Sequence, residues 1–411
     1  MRIFRRSSSL LVICSYALIA LIAPLGFAQT QSRNATSIDA AVTYQINATH
    51  TGVIQTKGLY PPFAVKWSVN LNATVGYPLI AENKIFVLAG DSNSGSVNLY
   101  ALHASTGKKI WGPVLIPEGA YWWAAAAYDN GVVYVVPDSV PGFNSGAVLA
   151  YSAKTGKQLW SATLPNQYLY SSPPTAGNGM VYTGGAGEGG TVYAVREKDG
   201  SIAWTNEVEN GDNSSPVVTK NGVYVSYACP QTYRFNPLTG KQVWHYSGNC
   251  EGGGGATMAL YRGLLYVRDT YDYSTNSILL DASDGTMVGG FNTTFIPAFL
   301  NDTVFYADTN AISAVNIKTG KTSWTATPPN GDSYASPPIV VNSAVYVGTA
   351  DGNFIAYKGG DGTVLATVSV GAPISAFDGG DYSSPVAGLS AAQGMIVVPA
   401  STYVVAITHS K

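Results

Sequence analysis

Charge is what this 411-residue chain has least of: Asp, Glu, Lys and Arg make up 11% of it, against roughly 25% in an average soluble domain. Histidine, methionine and cysteine are also sparse, at four, five and three residues. Each shortage excludes something. With 22 basic against 24 acidic residues and no basic run beyond the N-terminus, there is no electrostatic footprint for a nucleic acid. With 46% apolar residues and 45 glycines, the chain is too apolar for disorder and too rich in turn formers for a coiled coil. No Cys-x-x-Cys-His is present, which excludes c-type haem attachment. No Gly-x-Ser-x-Gly is present, so an α/β-hydrolase nucleophile elbow is unsupported. His50, His103, His245 and His409 are scattered without metal-ligand spacing, and no metal site is expected. Of the four, His50 alone stands where a site could be near.

The first 28 residues read as a secretory signal peptide. Arg2, Arg5 and Arg6 precede an apolar run from Leu10 to Ala23, followed by Pro24 and the small residues Gly26 and Ala28. That run falls short of the ~20 residues that span a bilayer, so no stable membrane anchor is expected. Ile13, not a small residue, precedes Cys14, which argues against lipoprotein processing. The mature chain would be secreted or periplasmic, and its net charge would move from −2 to near −5 as three arginines leave. It would keep Cys229 and Cys250, an even pair for which a disulfide is the default in an oxidising compartment.

The rest of the chain is repetitive. An alternating strand, a Thr/Asp-Gly-Lys-like turn and a Trp four residues after the Gly recur at Leu99–Trp111, Leu149–Trp160, Val192–Trp204, Tyr233–Trp244 and Ile312–Trp324. Degenerate copies without the Trp lie at Ile278–Gly289 and Phe354–Ala366. The turn residues are Gly107, Gly156, Gly200, Gly240, Gly285, Gly320 and Gly362. Their spacing, near 40 residues with short strands between, is that of four-stranded propeller blades. Seven units end near Val368, and Ser383–Ile407 supplies three more strands without a fourth. Val65–Leu71, with an isolated Trp67, reads as that missing strand. The expectation is therefore an all-β, eight-bladed propeller over 63–411, its last blade closed by the N-terminal strand, with residues 29–62 as an N-terminal extension.

The Ala-Leu/Tyr-x-x-x-Thr-Gly-Lys-x-x-Trp unit resembles the pyrroloquinoline-quinone-type (PQQ-like) propeller repeat of quinoprotein alcohol dehydrogenases and BamB-type propellers. The resemblance implies that Trp67, Trp111, Trp160, Trp204, Trp244 and Trp324 dock between neighbouring blades. A site would then lie elsewhere. In four-stranded antiparallel blades the Thr-Gly-Lys turns share one face, and the links to each next inner strand share the other. Those links carry Tyr121, Trp122, Trp123, Tyr170, Asp212, Glu251, Asp332, Tyr334, Asp381 and Tyr382. Converging on one mouth, they suit a small polar ligand or a glycan. Asp and Ser at these places also fit plain turn formation. Cys229 and Cys250 end strands on the same face, within reach of each other.

Three functions follow. The first is a non-catalytic propeller holding a small polar ligand, a glycan or an envelope protein. The second is a PQQ-independent hydrolase, similar to tetrathionate hydrolases, with Asp212, Asp332 or Asp381 as the catalytic acid. The third, a PQQ-dependent dehydrogenase, is disfavoured, because the chain lacks adjacent cysteines and an Asp-x-Asp-x-Asp-Gly calcium loop. No cofactor is expected.

Overall fold

A computed structural model describes residues 39–91, 96–116, 124–137, 145–166, 172–184, 190–209, 214–248, 256–268, 277–374 and 385–410. The expected signal peptide lies outside them. No helix among the described residues is long and apolar enough to cross a membrane.

Eight antiparallel sheets form the blades of a β-propeller. Blade 1 has a split inner strand, Thr74–Val75 and Leu79–Ala81, followed by Lys84–Asp91, Ser96–His103 and Lys109–Leu115. The inner strands of blades 2 to 7 begin at Ala124, Thr175, Val217, Ala259, Ala298 and Ile339. Blade 8 takes Ser390–Ala392, Met395–Ala400 and Tyr403–His409 from the end of the chain and Phe63–Asn70 from its beginning. Phe63–Asn70 lies antiparallel to Tyr403–His409, with Val69 opposite Val404, and so closes the ring.

Local chemistry explains why each blade forms where it does. Inner and second strands read as continuous apolar runs, such as Ala124–Asp129 and Val132–Pro137, because both their faces are covered by neighbouring blades. Outer strands alternate, as in Gln158–Pro165, since one face meets water. Two-residue hairpins join the inner pairs, and Asn130-Gly131, Asn178-Gly179 and Gln393-Gly394 hold positive φ at both turn positions. That combination matches the twist of adjacent antiparallel strands.

One irregularity repeats in every blade. In each pairing of third and outer strands the register slips by one residue just before the Trp position. Ala150 faces Trp160 while Tyr151 faces Gln158, leaving Leu159 unpaired. The same bulge falls on Lys66, Ile110, Ala203, Val243, Val288, Ser323 and Leu365. A bulge re-aims the next side chain, and here that side chain is the blade-docking one.

Six tryptophans are aimed this way. The indole N–H of Trp160 donates to the Glu197 carbonyl at 2.9 Å, and Trp67, Trp111, Trp204, Trp244 and Trp324 donate likewise to Ala104, Pro237 and their counterparts three residues before the next turn glycine. The ring then covers that glycine: a Cβ on Gly156 would stand 2.7 Å from Trp111, and one on Gly200 2.7 Å from Trp160. Each turn glycine has φ near +70°, so under the six rings space and backbone both require glycine.

Residues 40–56, read from the sequence as part of an extension ahead of the propeller, pack against the inner strands of its blades. Val53–Ile54 adds a parallel fifth strand to the inner edge of blade 7.

Candidate functional site

The inner strands of all blades start at the same end of the axis, here called the mouth. Most of the expected mouth residues, namely Tyr121, Trp122, Trp123, Tyr170, Asp212, Glu251, Asp381 and Tyr382, lie outside the described residues, as does Cys250. The described part is built from Ser-Pro segments and two residue pairs.

The serines connect blades. Ser172 Oγ donates to the Ser214 carbonyl at 2.6 Å, Ser215 Oγ donates to the Pro173 carbonyl at 2.8 Å, and the Ser215 amide donates to Thr257 Oγ1 at 3.0 Å. Blades 3, 4 and 5 are thereby stitched together where their inner strands begin. Ser336 in blade 7 accepts from the Gly348 amide at 2.8 Å.

Asp332 follows the short turn Pro329–Gly331. Its carboxylate accepts from the amides of Ser333, at 2.7 Å, and Asp351, at 3.2 Å. It therefore fastens one mouth loop of blade 7 to another. Tyr334, expected to contact a ligand, departs from that expectation. It is 1% exposed among the apolar residues between blades 6 and 7, and its hydroxyl lies 2.7 Å from that of Tyr357. Burial pushes its ionisation above the ordinary tyrosine range. The folding of blade 7 thus separates two neighbours that the sequence places together.

Two groups escaped the sequence reading. Arg268, at the mouth end of the second strand of blade 5, is fully buried, and its guanidinium donates to the carbonyls of Thr257, at 3.0 Å, and Thr294, at 2.6 Å. At the opposite end, the carboxyls of Asp129 of blade 2 and Glu197 of blade 3 lie close enough to couple. Burial, and then the Asp129 charge, push the Glu197 carboxyl up to about 7. His50 is fully buried on the axis, with Nδ1 2.8 Å from the Tyr44 carbonyl and Nε2 3.0 Å from the Pro216 carbonyl. Desolvation lowers its pKa, against the pull of those two carbonyls.

Arg268 is the one fully buried cation among the described residues, and its Nε, Nη1 and Nη2 each donate to a protein carbonyl. No cluster of His, Cys, Asp and Glu able to hold a metal occurs among the described residues.

Comparison with known proteins places this geometry. The chain is 26% identical over 67% of its length to a polyvinylalcohol dehydrogenase of a Pseudomonas species, and 24% identical over 79% of its length to a tetrathionate hydrolase of Acidithiobacillus ferrooxidans. It spans 37% and 65% of the lengths of those two relatives. Among solved structures, BamB from Moraxella catarrhalis superposes with a TM-score of 0.61 at 16% identity, covering 85% of this chain and 98% of that one, a likeness of fold alone. The family model described as outer membrane protein assembly factor BamB matches residues 64–166, 94–247, 144–290 and 276–407. The chain therefore belongs to that family of PQQ-like repeat propellers.

Proposed function

We propose that this protein is an exported, non-catalytic binding module that holds a small polar ligand, a glycan or an envelope protein at its mouth. The observation that carries this reading is the use made of the polar groups there. Asp332 is engaged by two backbone amides, and Ser172 and Ser215 by carbonyls of the neighbouring blade. Groups so committed build a rigid rim; a catalytic acid or base needs a proton path to substrate. The likeness to BamB, an assembly factor by its description, supports a protein partner. Export would rest on residues 1–28 acting as a signal peptide. A Cys229–Cys250 disulfide belongs to the same reading, and Cys229 is buried.

A second reading, a hydrolase using Asp212, Asp332 or Asp381, is favoured by the length of the match to tetrathionate hydrolase. Thermal melting separates the readings, since a ligand of the native state raises the midpoint. The purified chain is melted with oligosaccharides, with tetrathionate, and with PQQ plus calcium. A shift with an oligosaccharide, or with none of the three, fits a binding module for a glycan or a protein. A PQQ-dependent shift overturns both readings. Tetrathionate turnover abolished by Asp332→Asn, Asp212→Asn or Asp381→Asn establishes the second.

A further inference from the structure

The segment Ala40–Ile54 contains no Asp, Glu, Lys or Arg, and with Thr56 it visits the blades in order. Ala41 exchanges two 2.9 Å hydrogen bonds with Ile80 of blade 1. The Val42 carbonyl accepts from the Tyr128 amide of blade 2 at 2.8 Å, and Thr43 Oγ1 donates to the Pro174 carbonyl of blade 3 at 2.8 Å. Ala48 accepts from Val218 of blade 4 at 2.7 Å, and Thr49 from Leu260 of blade 5 at 2.9 Å. Gly52 lies against Ala298 of blade 6 and accepts from Val340 of blade 7 at 2.7 Å. Thr56 Oγ1 accepts from the Gly394 amide of blade 8 at 2.7 Å.

Five of these donors occupy one register. Ile80, Tyr128, Val218, Leu260 and Val340 each face the second residue of the next strand across their hairpins, opposite Ile85, Val133, Val223, Leu265 and Val345. An inner strand has a free edge toward the axis, whose N–H groups are costly to bury unpaired. Five such edges supply amide donors in one register, a set that recognises the carbonyls of an extended chain threaded across it. Selection comes from two further features. The buried wall rejects charge, and Gly52, at φ +64°, has room for nothing larger: a Cβ there would lie 3.0 Å from Gln45 Oε1, 3.2 Å from the Pro338 carbonyl and 3.3 Å from the Ala298 Cβ.

We infer that this ring, on the axial edges of the inner strands, is a peptide-binding site occupied in cis by residues 40–56, and that the same segment of a second copy can replace it. Recognition is strand addition to sheet edges, with glycine and uncharged polar side chains as the selective elements.

The test uses the full chain with a specific protease sequence inserted between Lys57 and Gly58, both exposed. The uncut variant is expected to melt like the parent. After cutting, the freed segment is expected to remain bound through gel filtration and to be displaced by a labelled peptide of residues 39–57. The same peptide carrying Gly52→Val is expected to compete at least ~10-fold more weakly, the equivalent of about 1.4 kcal/mol. Equal competition by the two peptides overturns the proposal, as does a cut segment that excess peptide never replaces. So does a segment that leaves while the amides of Ile80, Val218, Leu260 and Val340 keep their hydrogen-exchange protection. Should the insertion prevent folding, Gly52→Val in the intact chain serves instead. There those amides are expected to exchange at least ~10-fold faster, and unchanged protection overturns the proposal.

Discussion

Glycine and tryptophan act as one unit in this molecule. Gly156 sits at φ +72° under the ring of Trp111, whereas Gly320, at φ +67°, has nothing within 4 Å, because Gly289 stands where a Trp would cover it. The two positions separate backbone strain from lost space. Gly320→Ala is expected to cost about 1 kcal/mol, the price of the left-handed backbone alone. Gly156→Ala is expected to cost about 3 kcal/mol, since the indole must also move. Chemical denaturation of both variants measures the difference, and equal costs would show that the stacked ring contributes little.

Two titrating sites act in opposite senses. The Asp129–Glu197 pair keeps a proton that the unfolded chain releases, so its contribution is complete below the ordinary carboxylate range and is lost as pH rises through about 7. His50 resists a proton that the unfolded chain accepts, so its contribution is complete above the ordinary histidine pKa and is lost as pH falls below it. Glu197→Gln, which donates to Asp129 at any pH, is expected to add about 1 kcal/mol at pH 8 after allowance for solvent screening, and nothing at pH 4. His50→Gln is expected to lower stability at pH 8 and to reduce the loss on acidification. Melting midpoints across pH 4–8 read both slopes, and parallel curves for parent and variants would refute the assignment.

At the level of elements, the bulge before each Trp position does more than interrupt pairing. It turns the outer strand's side chain out of its own sheet toward the next, and it leaves aliphatic residues such as Leu159, Val243 and Val288 more than half exposed. Trp67→Ala is expected to cost about 3 kcal/mol by emptying one docking site. Removing Phe63–Asn70 altogether is expected to cost more and to bring self-association, because Tyr403–His409 then presents an unpaired edge. Gel filtration of the two variants distinguishes loss of a ring from loss of a strand.

The blades were legible because glycine, lysine and tryptophan recur at fixed offsets, and so was the closing strand, by its stray Trp67. The bulges were not, since Leu159, Lys66 and Ser323 share no chemistry. Arg268 and Glu197 had a signal that went unused: each is the one charged residue in its repeat column, among Val136, Gly184, Ser226 and Gly348 for the former and Ala104, Ala153, Pro237 and Gly359 for the latter. Tyr334 was misplaced because no local pattern distinguishes a tyrosine that faces solvent from one that seals a blade interface. Residues 40–56 carry no repeat, and their partners are backbone amides, which any sequence supplies.

For the molecule as a whole, sparse charge follows from architecture. Inner and second strands are covered on both faces by the adjoining blades, so fewer positions meet water than in an open sheet. The ring is shut twice, at the rim by Phe63–Asn70 and at the axis by residues 40–56. Both closures tie the first described residues to the last: Asp39 Oδ1 accepts from the Gln393 amide, 354 residues away, and Phe63 pairs with His409. This has a consequence in time. As the chain emerges from the ribosome, the segments that complete the structure exist first and wait longest, their partners arriving blade by blade. The axial segment can gather its contacts progressively, whereas Phe63–Asn70 has no partner until Tyr403–His409 has been made. Folding should therefore finish in one late event whose rate is set by joining the two ends of the chain.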